Sequence, residues 1–151
     1  MSGSPAQVRK DTRPWLSWIV LGLCLLSFAR GAYELGEQSL WWDESLSVHR
    51  ATSTLPSVLS NKIILTDSLT DVDTIDNHPP FYFALLWGAV RSFGLSEFGL
   101  RFLSVLAVVL IVPLLFATGK GLLDERAGLA AAALGALSPM YLWYGQEARM
   151  Y

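Results

Sequence analysis

The sequence predicts an all-α, polytopic transmembrane protein whose outer loop carries short juxtamembrane helices. Three observations carry this expectation. The chain is 52% hydrophobic with a positive mean hydropathy, which puts it in the membrane class. Its apolar residues collect into runs that approach the roughly twenty residues needed to cross a bilayer core. The acids gather in one central stretch, and the basic residues Arg9, Lys10 and Arg13 precede the first apolar run.

Residues 1–14 read as a polar, basic cytoplasmic tail. The first span is expected at about 15–33, apolar throughout apart from Ser17, Ser27 and Arg30. Arg30 lies near its far end, where the alkyl stem can snorkel to the headgroups. The basic tail places the N-terminus in the cytoplasm, in a cell (plasma) membrane. A cleaved signal peptide is the rival reading, since Ala29, Gly31 and Ala32 are small. An uncleaved anchor is preferred because further spans follow.

Residues 34–100 form the outer loop. Within it Ser45–Thr52 and Pro56–Leu65 are expected as short amphipathic helices on the membrane surface. Pro79–Phe93 is apolar but holds only fifteen residues and carries Arg91. At that length a helix reaches roughly 22 Å, short of the ~30 Å hydrocarbon core, so an interfacial helix fits better than a crossing. Further spans are expected at about 101–118, kinked at Pro113, and at about 127–145, where Gly128, Ala131, Ala132 and Gly135 allow close helix packing. Three spans are therefore preferred to four. With three, Gln146–Tyr151 emerges on the same side as the outer loop.

Cys24 is the only cysteine and sits in an apolar run, so it can form no internal disulfide. No basic stripe with interleaved aromatics suits nucleic acid, and that partner is excluded.

Three short segments could carry chemistry. Trp41-Trp42-Asp43-Glu44 places two carboxylates close to the bilayer, where one can act as general base and the other can bind sugar hydroxyls or a metal ion. On spacing alone the pair reads more simply as a solvated cap on the helix near Ser45. Asp76-Asn77-His78-Pro79-Pro80-Phe81-Tyr82 holds His78 at a helix start, where it could bind phosphate or metal or merely be exposed. Gln146-Glu147-Ala148-Arg149 brings a carboxylate and a guanidinium, and Arg101 opens its own span; both arginines suit phosphate. Asp67, Asp71, Asp73 and Asp76 read as a solvated acidic face.

The order of these segments from Trp15 to Tyr151, with WWDES, then NHPPFYF, GLR and SPMYLWYGQEARMY, resembles the N-terminal module of GT-C membrane glycosyltransferases. The likeness is to the branch with RgtA/B/C/D-like, ArnT-like and protein O-mannosyltransferase domains. It implies a polyprenyl-phosphate sugar donor, used on the outer face of the membrane, and a lipid, glycan or protein acceptor. By the same resemblance Asp43 and Glu44 are the catalytic acids, Asp43 as general base. His78, Arg101, Glu147 and Arg149 bind substrate. No ligand spacing decides the cofactor, a divalent metal ion included. Enzymes of this kind are several times longer, so the expectation is an N-terminal fragment that is inactive by itself. A channel would need an ionisable group at mid-span, and none stands there. A small membrane scaffold or inactive remnant is the alternative, resting on the small-residue face at Gly128–Gly135.

Overall fold

The computed structural model describes residues 14–37, 42–60, 62–66, 71–75 and 78–148, with the backbone alone for 42–43 and for the two strands. The architecture is helical, as expected, with one short hairpin added. Helix α1 spans Pro14–Ala32, with proline in its first turn, where a missing N–H costs nothing. Helix α5 spans Glu97–Leu122. These two are long and apolar enough to cross a membrane.

Helix α5 is started by Ser96, whose hydroxyl accepts from Gly99 N at 3.0 Å. It contains Pro113 and ends at a tight turn at Leu123. Asp124 then caps helix α6 (Glu125–Leu137), accepting from Ala127 N at 2.7 Å. The third expected span, 127–145, is not one helix. Ser138-Pro139 divides it into α6 and a short α7, Pro139–Gly145, because proline cannot continue a helix hydrogen-bond ladder and disfavours helical backbone before it. Helices α6 and α7 together return along α5, so the end of α7 lies beside the start of α5.

Small residues set the distance between α5 and α6. A Cβ on Gly128 would stand 2.6 Å from Phe116 O, and one on Gly119 would stand 2.8 Å from Gly128 Cα. Helix α1 packs across both, with Leu23 and Cys24 against a buried cluster of Val112, Ala132 and Ala136. Phe28 meets Phe102 edge-on at 6.2 Å. Outward-facing Trp18, Leu25, Leu110, Leu114 and Leu134 are exposed, as lipid-facing residues are.

The segment between α1 and α5 forms a second layer. It contains α2 (Trp42–Thr52), α3 (Leu55–Leu59), strands β1 (Lys62–Thr66) and β2 (Asp71–Ile75), and α4 (Pro80–Phe93). The helix expected over Pro56–Leu65 stops at Leu59, and the chain then pairs as an antiparallel hairpin with Ile64 opposite Asp73. Lys62-Ile-Ile-Leu-Thr is β-branched, and Asp-Val-Asp-Thr-Ile alternates, so the sequence favours a pleated ribbon there. Helix α4 ends at Gly94, whose φ of 80° suits glycine. Its Phe83 and Leu86 are buried against the loop helices. A second core cluster joins Ala51, Leu86, Leu100 and Ala148, linking α2, α4, α5 and the segment after α7.

The glycine contact makes a test. Gly128→Ala pushes α5 and α6 apart and should cost about 1–3 kcal/mol, read as a lowered unfolding temperature in detergent. Gly22→Ala, where an added Cβ meets nothing within 4 Å, should leave that temperature unchanged or raise it.

Candidate active site

The site is built on a buried ion pair. Arg101, at the start of α5, turns its fork onto Glu44 in the first turn of α2. Arg101 Nε donates to Glu44 Oε1 at 3.0 Å, and Nη2 donates to Oε2 at 2.8 Å. Arg101 Nη1 donates to Leu35 O at 3.1 Å, in the turn after α1. Ala148 N, just beyond α7, donates to Glu44 Oε1 at 2.8 Å. Glu44 is 1% exposed and Arg101 2%. The solvated cap that spacing alone suggests is therefore not what Glu44 forms. Two charges removed from water are held because nearly every polar atom has a partner of the right geometry.

The same interior holds further polar groups that the sequence reading did not single out. Tyr82, one turn into α4, lies 3.5 Å from Ser104 Oγ. Burial pushes its phenol above the ordinary value, the Ser104 hydrogen bond works against this, and the Glu44 carboxylate adds to it. The phenol thus stays protonated at physiological pH. Arg50, 2% exposed, stands with its guanidinium carbon 3.7 Å from the centroid of the Phe83 ring, and its Nη2 donates to Val58 O at 3.5 Å. Its signal was legible: Glu44, Ser47, Val48 and Ala51 follow helical spacing, so α2 has one inward face beside Arg50.

Of the six predicted site residues, the structure joins Glu44 and Arg101 directly. Glu147 is half-buried in the turn after α7 and close enough to act electrostatically on Arg101. His78 is exposed at the start of α4, one turn before Tyr82. Asp43 lies in the first turn of α2 next to Glu44, while its side chain is outside the described residues. Arg149 lies outside the described residues altogether. Among the described residues, no three His, Cys, Asp or Glu side chains group as a metal site.

Beside the ion pair, a cavity of about 180 Å³ opens between the end of α1, the start of α5 and the end of α7. Arg30, Glu34, Arg101 and Gln146 are among the residues of its wall.

Long apolar helices with a polar cavity and a buried ion pair at one end fit a membrane protein. Residues 77–149 match the dolichyl-phosphate-mannose-protein mannosyltransferase family, a stretch just under half of the chain. The match supports a GT-C mannosyltransferase-like reading of that segment, which contains His78, Arg101, Glu147 and Arg149. Asp43 and Glu44 precede the matched stretch and are tied to it through the Arg101 pair. No curated protein and no solved structure matches the chain significantly.

The pair predicts a double-mutant result. Glu44→Ala or Arg101→Ala leaves one buried charge uncompensated and should cost about 3–5 kcal/mol. Glu44→Met with Arg101→Met together should recover much of that loss. Thermal unfolding of the detergent-purified variants measures both.

Proposed function

We propose that the protein transfers a sugar from a polyprenyl-phosphate-linked donor to an acceptor hydroxyl on the outer face of the membrane. The observation that carries this reading is the Glu44–Arg101–Ala148 junction. It gathers the acidic loop, the start of α5 and the segment after α7 at one end of the helices, and the two later segments fall within the mannosyltransferase match. The mannosyltransferase family supports mannose as the sugar.

In this reading Asp43 is the general base. The acceptor oxygen attacks the anomeric carbon, the bond from that carbon to the phosphate oxygen breaks, and the hydroxyl proton passes to the Asp43 carboxylate. The polyprenyl phosphate leaves with its negative charge, which His78 and Arg149 offset. Glu147 binds sugar or acceptor hydroxyls. Glu44 and Arg101 serve chiefly as positioning residues: their side chains are committed to each other and to the backbone, and they hold the turn bearing Asp43 against α5.

The basic residues before α1 support an N-terminus in the cytoplasm. With α1 crossing outward, α5 crossing back inward and α6–α7 returning outward, the layer between α1 and α5 faces away from the cytoplasm. Helix α4 then lies along the surface, in keeping with its fourteen residues.

Two experiments test these statements. In membranes expressing the protein from its own reading frame, Asp43→Asn should lower transfer of labelled mannose from a lipid-phosphate donor by about 10²–10⁴-fold. Asp71→Asn should leave it unchanged; equal transfer in both removes Asp43 from the mechanism. For topology, Leu95→Cys should react with an impermeant thiol reagent only from outside intact cells. Leu123→Cys, in the α5–α6 turn, should react only after the membrane is opened, and the reverse pattern inverts the orientation.

A further inference from the structure

Arg50 is a buried charge that the transfer step does not use. It lies in the last turn of α2, 2% exposed, where a well-packed apolar side chain would avoid the cost of desolvation. Instead its guanidinium carbon stands 3.7 Å from the centroid of the Phe83 ring, and Nη2 donates to Val58 O at 3.5 Å. Phe83 is itself 4% exposed and sits in the first turn of α4. A planar cation on a ring face fixes both the distance and the direction of approach, which an aliphatic contact leaves loose.

The first turn of α4 needs such fixing. Its N-cap is Pro79, which makes no side-chain cap bond, and Pro80 removes a further backbone donor. Side chains hold the turn instead. Phe83 meets Arg50 of α2, and the Tyr82 hydroxyl lies 3.5 Å from Ser104 Oγ of α5. One turn on, Trp87 Nε1 donates to Ser53 O at 3.1 Å, just past the end of α2. Phe83 and Trp87 share one stripe of α4, so together they set its rotation against α2.

Position 78 follows that turn closely. The rings of Pro79 and Pro80 fix φ, and each disfavours helical backbone in the residue before it. His78-Pro79 is therefore a stiff lead into the helix, with Pro79 extended at φ −57° and ψ 131°. Wherever the first turn of α4 docks, the backbone of His78 goes with it. At the other end of the contact, Asp43 lies about two helical turns before Arg50 on α2.

We infer that Arg50 is a positioning residue: stacked on Phe83, it fixes the start of α4, and so His78, at one distance from the helix that carries Asp43. This rests on the roles given to His78 and Asp43 above, and adds to them the device that spaces the phosphate-binding group from the base.

Two substitutions separate the stacking from the packing. Phe83→Leu keeps an apolar side chain but removes the ring face, and Arg50→Lys keeps the charge but not the planar fork. In membranes expressing the protein from its own reading frame, each should lower kcat for labelled mannose transfer about tenfold. KM for the lipid-phosphate donor should change less than about twofold, because His78 acts on charge that develops as the phosphate leaves. Phe83→Tyr retains the ring and should recover most of the loss. In a His78→Gln background Phe83→Leu should cost nothing further, whereas a general loosening of the fold lowers both backgrounds alike. Spin labels at Leu46→Cys, 39% exposed on α2, and His78→Cys read the spacing directly in the detergent-purified chain carrying Cys24→Ala. Phe83→Leu and Arg50→Lys should broaden the distance distribution, and Phe83→Tyr should not. Equal losses in the two backgrounds, or an unchanged distribution in both Phe83→Leu and Arg50→Lys, would overturn the inference. If the unaltered protein transfers no mannose, the transferase reading falls by itself, and the label distances decide whether Arg50 holds position 78.

Discussion

The Glu44–Arg101 pair is the constraint on which the outer layer depends. One bidentate contact and two backbone hydrogen bonds tie together the turn after α1, the first turn of α2, the start of α5 and the segment after α7. Three of these elements also share the apolar cluster of Ala51, Leu86, Leu100 and Ala148. An ion pair of this burial contributes little net stability compared with well-packed apolar residues, because desolvation offsets most of the attraction. What it supplies is selectivity of arrangement. Any register that separates the two side chains strands a charge in the interior, so competing placements of α2 on α5 are disfavoured by several kcal/mol.

Below this junction the organisation follows a different physical rule. Inside a bilayer the apolar effect does not drive helices together, and close packing of small residues takes its place. Gly119 and Gly128 let the backbones of α5 and α6 touch, and Gly31 and Gly145 make room for the side chains of Val105 and Val108 of α5. Helix α5 thus acts as the spine: its inner half organises the membrane helices through small residues, and its outer end organises the loop through Arg101. A cavity lies where the two regimes meet, lined by Arg30, Glu34, Arg101 and Gln146 among others.

How much of this could be read from the chain alone depends on the range of the interaction. Hydropathy is a local sum, so the apolar helices α1 and α5 were legible, and so was the separate helix over Pro79–Phe93. The break at Ser138-Pro139 was equally local, yet the apolar run on either side masked it; the proline outweighs hydropathy because it removes a backbone donor. The hairpin at 62–75 carried a period-two signal that Pro56 and the apolar count obscured. Glu44 is the opposite case. Helical spacing puts Glu44 on one face with Val48 and Ala51, but it does not say what neutralises the acid, and the partner stands 57 residues away. The resemblance brought both residues into one site, but only the fold shows that they are turned toward each other.

That distinction changes what the acidic loop does. A carboxylate that must take a proton needs access to solvent or substrate, and a carboxylate that is fully hydrogen-bonded and buried cannot move to meet one without losing several contacts at once. Adjacent acids on one helical turn point in directions about 100° apart. The anchorage of Glu44 also holds the backbone of its neighbour Asp43, in keeping with the base role proposed for that residue. A reacting residue held within a fraction of an ångström needs such support from its neighbours. Arg101 is the other half of that support, holding the first turn of α2 against the start of α5.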